Sequence, residues 1–164
     1  MILEFAISTA MTNSGMTTGA SDTAQFVAEK ARESRLHVER SHTFGAGLDR
    51  ARQELCQIAE ECSQPNWDGY GAEPVSADAY RHAYLFLEAL TLGNPLPTVG
   101  AEPDGHVTLE WHRGARRTLS VSVSPDGDLH YAALMGPNKA FGTEAFFGDV
   151  PKAISDLIQR VCAA

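Results

Sequence analysis

An α+β domain is predicted, built as an antiparallel meander of four to five strands with helices packed on one face. Three observations predict it. Apolar residues recur at helical spacing over Leu48–Cys62 and again over Val150–Val161, whereas the stretch between about Val99 and Tyr131 alternates with period two. Glu102-Pro103-Asp104-Gly105 and Ser124-Pro125-Asp126-Gly127 repeat one turn signal inside that alternating stretch. Helical and strand patterns are segregated along the chain, which disfavours a parallel α/β layout.

The elements follow in order. Residues 8–21 are rich in Ser, Thr, Gly and Asn, so 1–21 reads as a flexible tail, with Met11 and Met16 as alternative starts. Residues 22–164 then form a single domain whose core spans 48–162. Asp22 to Arg35 suggests a charged, weakly amphipathic helix with Val27, Ala28 and Ala31 on its apolar side, and His37–Gly47 reads as a connection. Leu48, Ala51, Leu55, Ile58, Ala59 and Cys62 mark an amphipathic helix that ends before Pro65. Ser76 is placed to cap the next helix, and Val75 and Tyr80 occupy the two positions of a hydrophobic staple. Ala79, Ala83, Phe86, Leu87 and Leu90 form its buried stripe, and Gly93-Asn94-Pro95 stops it.

In the meander, Pro and Asp suit the centre of a type I turn, and the Gly after them suits the left-handed residue of a bulged hairpin. That geometry pairs Val123 with Leu129, Val121 with Tyr131 and Leu119 with Ala133. The same rule at Gly105 pairs Ala101 with Val107 and Val99 with Leu109. A three-residue loop Gly114-Ala115-Arg116 pairs Trp111 with Leu119. All three hairpins then place one apolar set on one face, as register demands. A fifth strand is expected near Lys139–Phe147, and a last helix opens at Asp149-Val150-Pro151 with Ile154, Leu157, Ile158 and Val161 inward.

Composition narrows the function. A net charge of −8 argues against non-specific nucleic-acid binding and against an anionic membrane surface. Between Pro65 and Asp104, six acids face Arg81 alone, which would favour a basic partner. Cys56, Cys62 and Cys162 have no metal-ligand spacing and suit a reducing, cytoplasmic compartment. The apolar start Met1–Ile7 is too short to span a bilayer.

Asn66-Trp67-Asp68-Gly69-Tyr70-Gly71-Ala72-Glu73-Pro74 is the densest cluster of unusual residues. As structure, Asp68 before Gly makes an Asx turn and Trp67 plugs the core. As function, Asp68 beside Tyr70 ligates a cation or takes a proton. On the polar face of the predicted sheet lie His106, Thr108, Glu110 and His112, then Thr118, Ser120 and Ser122, then Asp128 and His130, and its imidazoles and carboxylates suit a metal or acid–base work. The pairing puts His130 in the row of Ser122 and Thr108, away from Glu110 and His112, and no Cys/His spacing supports a closed site, so no tightly bound metal and no cofactor are expected in the protein. Arg113, Arg116 and Arg117 at one hairpin tip read as a charged turn that blunts edge association. No Ser/His/Asp spacing, HExxH, CxxC or phosphate-binding glycine loop is present.

The Asn66–Ala72 string with Pro74 and the helix after it, together with Glu110-Trp111, resembles a group of small uncharacterised bacterial proteins in which an N-W-D-G-Y-G-A-x-P segment precedes a helix and a β-meander. The resemblance covers roughly 65–161. It implies a bacterial cytosolic protein of an accessory or mobile-element gene set, and it implies no activity. From the residues themselves the expectation is a non-enzymatic protein–protein interaction module of antitoxin, immunity or inhibitor type. Its contacts would come from the polar sheet face and the acidic region around Asp68 and Glu73. The competing expectation is a small-molecule-binding or hydrolytic enzyme using the Trp67–Tyr70 loop and that sheet face. The candidate binding residues are Trp67, Asp68, Tyr70, Glu73, Glu110, His112 and His130, with no catalytic residue assigned.

Overall fold

The computed structural model describes residues 22–163, and the expected tail 1–21 lies outside the described residues. They divide into two compact units, whose described parts are 22–36 and 37–163. Helix α1 (Asp22–Glu61) is followed by α2 (Ala77–Ala89), five strands and α3 (Lys152–Cys162). The strands are β1 (Thr98–Ala101), β2 (Val107–Gly114), β3 (Arg117–Val123), β4 (Asp128–Met135) and β5 (Asn138–Ala145), in one antiparallel sheet of order β1-β2-β3-β4-β5. The α+β meander expected from the alternation is the fold.

The expected connection over His37–Gly47 is a correction, because these residues are helical and α1 is continuous. No proline precedes Pro65, and each of Gly45 and Gly47 disfavours a helix by only about 1 kcal/mol. Ser41 and Thr43 return their hydroxyls to the His37 and Glu39 carbonyls, at 2.9 and 3.0 Å, so their polarity is satisfied inside the helix. Gly47 also has a packing role: a Cβ there would stand 2.7 Å from Leu96 Cδ1. From Gln25 to Leu36 every side chain is exposed.

The expected pairings of all three hairpins are present, including Val123↔Leu129, Trp111↔Leu119 and Val99↔Leu109. Gly127 adopts φ +86 and donates to Ser124 O at 3.1 Å, while Ser124 N donates to Asp128 O at 2.9 Å, closing a bulged turn. The β2–β3 loop differs in detail. Gly114 pairs with Arg117, and the extra residue is absorbed as an irregularity between His112 and Gly114 rather than in the loop. Strand β5 ends at Ala145 instead of Phe147, because its partner β4 begins at Asp128 and Phe146 N turns to Gly127 O.

The core lies between the helices and one sheet face. Val107, Leu109, Leu119, Val121, Val123 and Leu129 are fully buried there, with Phe86, Leu87, Ile154 and Ile158 facing them. Helices α2 and α3 both contact β2 and β3 on this face. Trp111 donates its indole N–H to Pro95 O at 2.7 Å, so the largest core ring leaves no polar atom unpaired. Ser76 caps α2 by accepting from Asp78 N. The Cys62 thiol is buried and its pKa is pushed up by that burial. Among the described residues no helix is long and apolar enough to cross a membrane.

Candidate functional site

The Trp67 loop folds around its own polar side chains. Asn66 takes a left-handed φ of +64, and its Oδ1 accepts from Gly71 N at 2.7 Å. Asp68 Oδ1 accepts from Tyr70 N at 2.7 Å and Ala72 N at 3.1 Å. The Asx turn is therefore the role Asp68 performs. Trp67 departs from expectation: it is half-buried, and its Nε1–H donates to Glu73 O at 2.9 Å. The indole fastens the two ends of its own loop and does not fill the core. Tyr70 is 95% exposed, and Glu73 contributes its backbone, donating to Pro103 O at 2.8 Å.

Two further bonds fix the loop in place. Ser76 N donates to Gly105 O at 2.9 Å, and Val75 N donates to Cys62 O at 3.0 Å. The segment thus ties the end of α1, the start of α2 and the β1–β2 turn together. This is the physical reason for its two glycines and its asparagine: Asn66, Gly69 and Gly71 all have positive φ.

Backbone N–H donation, from Tyr70 above all, outweighs the opposing effect of desolvation and, with Ala72 adding to it, holds the Asp68 carboxyl below the usual carboxylate range. A depressed folded-state pKa stabilises the fold above the unfolded value, about 4 for aspartate, and the stabilisation is lost as pH falls through the folded value. Asp68→Asn is therefore expected to be destabilised at neutral pH, with the gap to the parent narrowing in acid. Urea midpoints of both proteins at neutral and acid pH measure it. A gap unchanged at the acid end would show that the carboxylate charge is not what holds the loop.

The other predicted residues lie on the sheet face that the helices leave uncovered. Its rows run Thr98-Glu110-Ser120-Ala132-Phe141, then Thr108-Ser122-His130-Thr143, then His112-Thr118-Leu134-Lys139. Glu110 and His112 are brought together at 3.8 Å, and His112 Nδ1 lies 3.0 Å from Thr118 Oγ1. His130 stands in the next row, as the pairing predicts, with Nδ1 2.9 Å from Thr143 Oγ1. Different bonds therefore hold the Trp67 loop and these sheet residues: the loop bonds to itself and to the β1–β2 turn, the sheet residues to one another.

Three features of this face escaped the sequence reading. Phe141 is 81% exposed at the end of the Glu110 row, next to Ala132 and near Leu134. His106 stacks on His130 with centroids 6.3 Å apart and planes 12° apart. Glu102, Asp104 and His106 bring one donor atom each within 4.8 Å of one another. The signal for Phe141 was its parity in β5, which becomes readable only once Ala132↔Phe141 is known. The signal for the trio was Glu-x-Asp-x-His across a Pro-Asp-Gly turn, a spacing that a strand would spread out and a turn gathers. No protein-family model matches the chain, and neither the curated proteins nor the solved structures contain a match to it.

Proposed function

We propose that this chain is a protein–protein docking module, cytosolic and of antitoxin, immunity or inhibitor type, whose uncovered sheet face receives a basic surface of a partner protein. The observation that carries the reading is the one-sidedness of the fold. Both α2 and α3 pack on the Val107/Leu109 face, while among the described residues no helix covers the opposite face, where Phe141 is 81% exposed. A large exposed aromatic beside apolar residues, here Ala132 and Leu134, within a more polar face is the usual composition of an interface centre. The charge on this face supports a basic partner. Glu102, Glu110 and Asp128 share its parity with Lys139 as the opposing charge. In the Trp67 loop, Asp68 Oδ1 and the Trp67 indole N–H are engaged by the loop's own backbone, so the proposed docking surface is the sheet face.

Site-specific photocrosslinking tests the reading. A benzophenone side chain at position 141 of the full chain, expressed in its host cell, should give one protein adduct. The same probe at Leu85, 41% exposed on α2, should give none. With the captured partner purified, Glu110→Lys should slow association by roughly tenfold at low salt, because a charge at an interface rim acts on the on-rate. It should leave the melting temperature almost unchanged, because exposed charges contribute little to stability. Equal adducts from both positions would overturn the surface. A metabolite that raises the melting temperature, with no protein adduct, would overturn the docking reading itself.

A further inference from the structure

We infer that the β1–β2 turn is a binding site for one divalent transition-metal ion, with Glu102, Asp104 and His106 as its ligands. The inference stands independently of the docking reading. It starts from the turn. Gly105 takes φ +82, Gly105 N donates to Glu102 O at 3.0 Å, and Glu102 N donates to His106 O at 3.0 Å. This closure folds positions that would be far apart on a strand onto one spot. One ligand atom from each of the three side chains then lies within 4.8 Å of the other two. Asp104 Oδ2 and His106 Nδ1 are already 3.7 Å apart. Ligands bonded at about 2.0–2.2 Å around a tetrahedral ion sit roughly 3.4 Å from each other. Closing the remaining gaps takes side-chain movement, for which Asp104, its side chain 60% exposed, has room.

The surroundings fix the ligands before any ion arrives. Thr108 donates its hydroxyl to the Glu102 carboxylate and the His130 ring stacks against His106, while Ser122 Oγ, 3.1 Å from His106 Nδ1, shares the nitrogen that faces Asp104 and yields it to an ion bound there. Such outer partners orient ligands and tune their basicity. The frame is held from behind by the Trp67 loop through Glu73 N–Pro103 O and Ser76 N–Gly105 O, at 2.8 and 2.9 Å. Two carboxylates and one imidazole form a mixed oxygen–nitrogen set. Imidazole favours zinc, iron or nickel over magnesium and calcium, which take oxygen alone. The second turn of the same frame provides an internal contrast. Ser124-Pro125-Asp126-Gly127-Asp128 has no histidine within the turn, the neighbouring His82 directs Nδ1 to Ser124 O at 3.4 Å, and Ser124 Oγ is taken by Asp128 N at 3.0 Å.

The experiment uses the full chain, freed of metal by chelation and carrying no histidine tag. Zinc chloride titrated by calorimetry should saturate at one ion per chain and raise the melting temperature, since an ion that binds only the folded state stabilises it. Magnesium at the same concentration should produce neither effect. His106→Asn and, separately, Asp104→Asn should each weaken zinc binding by at least about tenfold, the loss expected even for an outer-layer partner. Asp104 is exposed enough that its variant keeps the fold, which far-ultraviolet circular dichroism verifies. Replacing His37 and His42, exposed on α1, should change nothing. Manganese as a paramagnetic probe should broaden the amide signals of Glu102–Thr108, Ser122 and His130 first. Zinc affinity that ignores both variants, or manganese broadening centred on Asp126–Asp128 or spread over the surface, would overturn the site.

Discussion

Phe86→Ala is expected to cost about 3–5 kcal/mol of folding stability, the usual range for deleting a fully buried aromatic ring. Phe86 has no exposed surface and sits where α2 meets the sheet. Its ring meets Trp111 edge-on at 6.4 Å and Phe146 at 5.8 Å, so the deletion empties a space that two other rings border. Rigid rings collapse poorly into such a space, which keeps the cost at the upper part of the range. Its chain neighbour Leu85 is 41% exposed on the outer side of the same helix, and Leu85→Ala should cost roughly 1 kcal/mol or less. Urea unfolding of both variants measures the difference, with the slope compared to confirm that the denatured state is unaltered. A Phe86→Ala cost near that of Leu85→Ala would mean that α2 does not bury this face.

Gly105→Ala is the second large effect, expected at about 2–5 kcal/mol from two sources. A non-glycine residue at φ +82 costs about 1–2 kcal/mol from the left-handed backbone. The added Cβ would stand 2.7 Å from Pro74 O, a main-chain atom held in place by the bonds on either side of it. Forcing such a contact apart adds about 1–3 kcal/mol. Gly127→Ala separates the two sources. Gly127 has the same turn and φ +86, but a Cβ there meets the His82 ring at 3.3 Å, a side chain that can move. It should show the backbone cost alone. Equal losses in the two variants, by denaturant midpoint, would mean that the Trp67 loop does not press on the β1–β2 turn.

The local rules carried the reading of the sheet. Register was legible because a one-residue slip would have exposed Val107, Leu109, Leu119 and Val121 together, and only the bulged turn at Pro-Asp-Gly avoided it. The start of α2 was legible because a serine cap acts within one turn of helix. The His37–Gly47 segment, expected as a connection, is helical although it holds Gly, Ser and Thr. Inside a long helix their cost is small, and Gly47 is set against Leu96, a residue far along the chain. The expectation for Trp67 failed for a related reason. A large ring signals burial, but what surrounds it is decided by the path of the loop, and here its indole N–H reaches only Glu73 O.

The amino-acid sequence by itself determined the order of elements after α1, the α+β class, the strand register and the residues of the apolar face. Each of these follows from periodicity, capping and turn chemistry between residues close in the chain. Only the tertiary structure decided that Trp67 stays half-buried, that Phe141 stands exposed on the uncovered face, and that His106 meets His130 while Glu102, Asp104 and His106 converge. Those outcomes depend on distances between groups whose positions are set by packing and by turn closure. A pattern of residue types fixes which way each side chain faces, but not what stands opposite it.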